Sequence, residues 1–190
     1  LEHEYGVKPG DVEWVQGRAD RLGRKLPADI RLTQAPPGTE LGDMLERGEI
    51  DFMMTANNPL AFRRGSRKVR RLFPNYAELE RDYFKRTGFF PIMHTLLIKT
   101  SVLDKDPWVA MSIYNAWQES KKKCYQWLEW QRVHQTSLWY RALWEEEKVA
   151  AGPDIYLWGF RKTRPEVDKL LEYCHRQGLT TRKFEPEEMF

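Results

Sequence analysis

Apolar residues follow two rhythms along the chain. Through about the first hundred positions they come in short runs bounded by turn residues; afterwards they recur every three or four positions. Short bounded runs predict strands, and the longer period predicts amphipathic helices. Residues 12–15 therefore read as a strand ending at Gln16-Gly17, and residues 30–32 as another. Leu41, Met44 and Leu45 fall on one helical face that Gly48 ends. Residues 50–55 form an apolar run with the character of a buried strand covered on both faces. Asn57-Asn58-Pro59 follows, predicting an asparagine cap and a proline at the first position of a short helix. Residues 69–73 read as a strand. Asn75 and Glu78 approximate a capping box for a helix that runs to about Arg86 and stops at Gly88. Residues 91–99 give the strongest strand signal in the chain.

The second half is almost wholly helical. Asp106-Pro107 opens a long helix with Val109, Ile113, Trp117, Cys124 and Leu128 as its apolar stripe. A second helix is predicted over residues 130–149, ended by Gly152-Pro153, and a last one from near Pro165 to Gly178. At the start, residues 1–5 read as the last turn of a helix closed by Gly6, so the chain is expected to begin inside a larger unit. Strands alternating with helices imply an α/β protein with a mainly parallel sheet. Such sheets bind ligands beyond the carboxyl ends of their strands. That rule singles out Gln16-Gly17, Asn57-Asn58 and the run that holds His94.

Composition narrows the classes. No apolar run approaches the roughly 18 residues of a membrane-spanning helix, and a net charge of +3 names no polyanionic partner. Arg63 to Arg71 contain six cations in nine residues, but no aromatic platform is interleaved with them. A solvated surface is the expectation there, with no nucleic acid. Cys124 and Cys174 lack metal-ligand spacing, the four histidines are scattered, and there is no phosphate-cradling glycine loop. Neither a metal nor an organic cofactor is predicted.

Several motifs, in order and spacing, carry a resemblance. They are Glu4-Tyr5-Gly6-Val7 with Trp14-Val15-Gln16-Gly17, Gly48-Glu49-Ile50-Asp51, Arg70-Arg71-Leu72-Phe73-Pro74, and Thr87-Gly88 with Pro91-Ile92-Met93-His94. Pro107-Trp108-Val109-Ala110, Gln177-Gly178-Leu179 and Pro186-Glu187-Glu188-Met189-Phe190 complete the set. Together they resemble the C-terminal portion of the 4,5-dihydroxyphthalate decarboxylase family. The resemblance implies a type II periplasmic-binding-protein-like fold, two α/β lobes joined by hinge strands, with the N-terminal part of that fold missing here. On that plan residues 1–90 form most of the second lobe. Residues 91–190 supply a hinge strand and the mainly helical remainder of the first.

Each candidate has a plain structural reading beside the functional one. A lone histidine in an apolar run, as His94 is, ordinarily packs in a core; the hinge position implied by the resemblance makes it the candidate catalytic residue, lining the cleft. Asn57 and Asn58 with Phe62 read by themselves as a helix cap and a core aromatic, and become substrate contacts if their loop faces the cleft. Arg63 is placed to bind a carboxylate in bidentate fashion, and Gln16 ends the first strand. In the segment from Asp154 to Gly159, Trp158 stands where the family pattern carries a tyrosine. It is a substrate-side candidate without that hydroxyl.

The implied activity is cofactor-independent decarboxylation of a hydroxylated aromatic acid by a cytoplasmic protein; a signal peptide on the missing segment would instead place it in the periplasm. The partner is then a small aromatic or carboxylate ligand, with no membrane. Two alternatives stay open: a solute-binding protein without chemistry, and a chain that only folds or forms homo-oligomers through surfaces the absent lobe would cover.

Overall fold

Strand β1 (Glu13–Gln16) pairs in parallel with strand β2 (Arg31–Gln34) in the computed structural model, which describes residues 1–18, 26–130 and 137–189. Trp14 lies opposite Leu32, and Gln16 opposite Gln34. This ladder is the sheet of the described chain, which is mixed α/β and mostly helical. The chain divides into two units, Leu1–Tyr76 with Leu171–Phe184, and Ala77–Leu170 with Glu185–Phe190.

In the first unit, helix α1 (Glu2–Tyr5) ends at Gly6, as the sequence suggests. Its His3 ring stacks on Tyr173 at 5.4 Å, and Arg176 donates to Glu2 at 3.1 Å. Tyr5 stacks on Phe73 at 4.9 Å. Trp14 meets Phe52 edge-on and donates its indole N–H to the carbonyl of Pro9 at 2.9 Å, which satisfies the polar atom that a large aromatic takes inside. Helix α2 (Leu41–Arg47) buries Met44 and ends at Gly48, whose φ of 77° is the left-handed cap that glycine adopts without strain. Helix α3 (Leu60–Arg63) buries Ala61, and the nearby Val69 and Ala35 are buried as well.

The second unit is built from helices. Helix α4 (Tyr76–Thr87) contributes its residues from Ala77, and Arg81 on it pairs with Glu146 on helix α7 (Tyr140–Ala151) at 2.8 Å. Helix α5 (Thr100–Lys105) leads through Asp106-Pro107 into the 22-residue helix α6 (Trp108–Glu129). Helix α8 (Phe160–Arg176) buries Val167, and the closing turn Pro186–Met189 is tied to it by Arg164 and Glu187 at 2.6 Å, with Pro186 fully buried. Among the described residues no helix is long and apolar enough to cross a membrane. Cys124 and Cys174 are both free thiols.

The structure corrects several local expectations. Residues 50–55, 69–73 and 91–99 join no ladder, and Met54, Leu72, Met93 and Leu97 are exposed at 69%, 66%, 73% and 87%. Apolarity selects an extended conformation only where a neighbouring strand takes up the backbone N–H and C=O groups. Those three runs have no such neighbour among the described residues. Asn57 and Asn58 do not cap α3: Pro59 occupies the cap position and makes no side-chain hydrogen bond there, while Thr55 bonds the backbone of Asn57. Helix α8 begins at Phe160 rather than near Pro165, which lies inside it and leaves the Arg161 carbonyl without its helical N–H donor. The predicted helix over 130–149 is described only from Tyr140; residues 131–136 lie outside the described ones. Helix α6 covers part of its predicted stripe, at Val109, Ile113 and Leu128, but its covered face is displaced toward a polar row. Trp117 and Cys124 are exposed, while Tyr114, Gln118, Lys121 and Tyr125 are partly covered.

Candidate functional site

The covered face of α6 presents Tyr114, Gln118, Lys121 and Tyr125 at helical spacings of four, three and four, so one stripe of polar groups looks inward. Such groups need partners, and the segment after α7 supplies them. Lys121 Nζ donates to both carboxylate oxygens of Asp154 at 2.9 Å and to the carbonyl of Tyr156 at 2.8 Å. Its side chain is only 11% exposed. The Tyr125 hydroxyl donates to Asp154 Oδ1 at 3.0 Å. Burial first, then that hydrogen bond and the Asp154 charge, push the Tyr125 phenol up to about 12. Tyr114 accepts from Gln118 at 2.7 Å.

The same segment fixes Trp158. Its ring receives the Lys121 ammonium at 4.8 Å and packs edge-on against Trp117 at 5.8 Å. Gly159, at φ 100°, lets the chain pass the Tyr114 hydroxyl; a Cβ there would lie 3.1 Å from that oxygen. Tyr156 meets Phe90 edge-on at 5.3 Å, four residues before His94.

Beside this cluster α6 and α7 border an open groove of about 770 Å³, whose lining includes Tyr125, Trp130, Trp144, Lys122, Lys148 and Asp154. Glu129 organises its far wall, accepting from Lys148 at 2.6 Å and from the Trp144 indole at 2.8 Å, with Arg141 at 3.5 Å. The Lys148 and Trp144 hydrogen bonds hold the Glu129 carboxyl below its ordinary range. Lysines 121 and 148 are therefore committed to acids of this chain. Lys122, exposed at the groove, makes no ion pair among the described residues.

The predicted site residues fall into two groups, one in each unit. In the first unit, the opening turn of α2 draws two of the predicted loops together. A Cβ on Gly17 would lie 3.1 Å from Leu41, and one on Gly42 would lie 2.8 Å from the Pro59 ring. Gln16 and Asn58, next to Gly17 and Pro59 in the chain, thus flank the same turn. The Gln16 carbonyl accepts from Ala35 N and from Gln34 Nε2 at 2.7 Å. Asn57, Asn58 and Arg63 are exposed, and Arg63 makes no side-chain hydrogen bond or ion pair among the described residues. Phe62 is half-buried beneath the Arg71 guanidinium at 5.3 Å. In the second unit lie Trp158, packed as above, and His94, exposed and without a side-chain partner among the described residues.

Lys121, Tyr125, Glu129, Trp144 and Lys148 are absent from the sequence-based candidates. The signal that could have found the first two is the spacing of Tyr114, Gln118, Lys121 and Tyr125, a polar stripe on a helix otherwise rich in tryptophan. Among the described residues no three His, Cys, Asp or Glu side chains gather to hold a metal.

No family model matches the chain. Comparison with curated proteins does find relatives. A 4,5-dihydroxyphthalate decarboxylase of Comamonas testosteroni is 30% identical over 197 aligned residues, which take in 100% of this chain and 60% of that protein. A 4,5-dihydroxyphthalate decarboxylase of Pseudomonas putida is 33% identical over 95 residues, 47% of this chain and 37% of its own length. The chain thus spans well under two thirds of the length of the relatives it matches. Along its whole length it is similar to a 4,5-dihydroxyphthalate decarboxylase, as the order and spacing of its motifs suggest.

Proposed function

We propose that the protein is a decarboxylase of a hydroxylated aromatic acid of the 4,5-dihydroxyphthalate kind, working without an organic cofactor. The observation that carries this reading is the similarity of all 190 residues to a curated 4,5-dihydroxyphthalate decarboxylase. The two-lobed type II plan belongs to the same reading.

Loss of carbon dioxide breaks the bond between ring and carboxyl carbon and leaves its electron pair on the ring. The ring accepts that pair into its π system once a proton has been added to the same carbon. The para hydroxyl loses its own proton and supplies the electrons for that addition, and aromaticity returns as carbon dioxide leaves. In this reading His94 is the proton donor or polarises the hydroxyl, an assignment that suits an imidazole with no other partner among the described residues. Arg63, whose guanidinium makes no ion pair among the described residues, holds a substrate carboxylate, with Asn57, Asn58 and Gln16 as hydrogen-bonding groups. Phe62 and Trp158 supply aromatic faces. Proton transfer of this kind contributes about 10²–10⁴-fold, and orientation of the substrate the remainder.

The test is incubation of the protein with 4,5-dihydroxyphthalate and related hydroxylated aromatic acids, measuring carbon dioxide released. Stoichiometric release with formation of the decarboxylated phenol supports the reading. Thermal stabilisation by the acid without release identifies a binding protein instead.

A further inference from the structure

We infer that Lys121 is a positioning residue that sets where Trp158 stands and, through it, how tightly an aromatic acid binds. The inference rests on the reading of Trp158 as a substrate contact, and it takes a role for Lys121 from geometry alone. All three ammonium protons are used, two on Asp154 and one on the Tyr156 carbonyl, so Lys121 has none left for a ligand. What it holds is the Asp154 carboxylate and the Tyr156 carbonyl, on either side of Ile155, and, by its charge at 4.8 Å, the indole face of Trp158. Trp117 bounds that indole on its other contact at 5.8 Å, and Tyr114 leaves no room for a side chain at Gly159. A segment with no regular secondary structure is thereby held from α6, with Lys121 at the centre and Tyr125 and Trp117 beside it. Tyr156, in the same segment, packs on Phe90, so the clamp reaches the residue that begins the approach to His94.

Two tryptophans packed edge-on give an exciton couplet at the long-wavelength end of far-ultraviolet circular dichroism, which Trp158→Phe and Trp117→Phe identify. Lys121→Met removes the ammonium at similar volume but leaves Asp154 uncompensated. The double variant Lys121→Met with Asp154→Asn, which leaves no unpaired charge, is therefore measured beside it, with a cooperative urea transition as the check on folding. Lys121→Arg tests rescue. In the Lys121→Met proteins the exciton signal disappears and KM for 4,5-dihydroxyphthalate rises roughly tenfold, the scale of one lost hydrogen-bonded anchor, while kcat changes little. Lys121→Arg recovers part of both. An unchanged exciton signal in a folded Lys121→Met protein overturns the inference, and so does a lost signal with KM unaltered. Failure of the functional reading looks different: the unsubstituted protein binds the acid and releases no carbon dioxide, and the Kd of the variants then takes the place of KM. A protein that neither binds nor converts the acid overturns both.

Discussion

Lys121 and Asp154 form a two-oxygen ion pair at 2.9 Å across 33 positions of sequence, with the lysine side chain 11% exposed. Breaking it from the acid side leaves an ammonium that is 11% exposed with only the Tyr156 carbonyl, and from the lysine side leaves Asp154 with the Tyr125 hydroxyl and some water, so the acid side is the costlier loss. The pair also explains how α6 turns a polar stripe inward: the penalty of covering Gln118, Lys121 and Tyr125 is offset by bonds that each of them makes.

Tyr125 provides the alkaline signature of this cluster. Its phenol titrates near 12 in the folded protein, against an ordinary value of 10. A group whose folded value is raised adds stability that is fully present below the unfolded value and is lost as pH climbs through the folded one. Stability should therefore fall between about pH 10 and 12, and Tyr125→Phe should flatten that fall. Urea unfolding midpoints across this range, with tyrosinate absorbance as the titration record, check it. An identical alkaline profile in Tyr125→Phe would count against the hydrogen bond to Asp154.

Glu129 provides the acidic counterpart. Its carboxyl is held low by Lys148 and by the Trp144 indole. The stability it lends is present above the unfolded carboxylate value of about 4.5 and disappears as pH falls through the folded one. Glu129→Gln keeps an acceptor for the indole but not the charge. Its stability should decline less than that of the unsubstituted protein as pH drops below 4.5, which thermal melts at stepped pH will show.

Much of this was hidden from the sequence for a reason the elements themselves display. Both strands of the ladder, the stop of α2 at Gly48 and the course of α4 to Gly88 depend on residues within a turn or two of one another, and periodicity reads them well. Residues 50–55, 69–73 and 91–99 have the composition of strands but lack partners, and a partner is a property of the whole chain. The stripe of α6 was legible only in part for the same reason: Val109, Ile113 and Leu128 are covered as their hydrophobicity predicts, and two others are not. Trp117 and Cys124 look like core by hydrophobicity, whereas the face that packs is chosen by Asp154 and Tyr156, which lie 33 and 35 positions from Lys121. Of the candidate site, Gln16 does end a strand, whereas Asn57 and Asn58 follow a run that joins no ladder, so the rule for strand ends reaches only the first of them. The groove and its Glu129 wall follow from pairings no local pattern encodes.

Gly42 carries a packing constraint that helix propensity alone misjudges. Alanine within a helix gains up to about 1 kcal/mol over glycine. Here the added methyl would stand 2.8 Å from Cβ of Pro59, part of a ring that has no rotamer to escape into. Overpacking of this sort costs about 1–3 kcal/mol, so Gly42→Ala should be destabilising by roughly 1–2 kcal/mol. Denaturant titration measures it; a stabilised variant would mean that α2 and α3 are not in contact in solution.

His94 separates function from structure. Its side chain is exposed and makes no hydrogen bond among the described residues, so His94→Ala should alter stability by no more than about 0.5 kcal/mol. Under the proposed chemistry the same substitution lowers kcat by about 10²–10⁴-fold. Melting temperature and carbon dioxide release, taken on one preparation, give both numbers. A large loss of stability would make the histidine a structural residue, and an unchanged kcat would remove it from the reaction.

The commitment of every Lys121 proton has a chemical corollary. Lys121, Lys122 and Lys123 are consecutive, yet among the described residues only the first is enclosed and bonded, while its two neighbours are exposed. Acylating reagents should modify the second and third amines readily and spare the first. The run is thus a built-in reactivity contrast, in which late acylation of Lys121 marks the moment the 153–159 segment lets go.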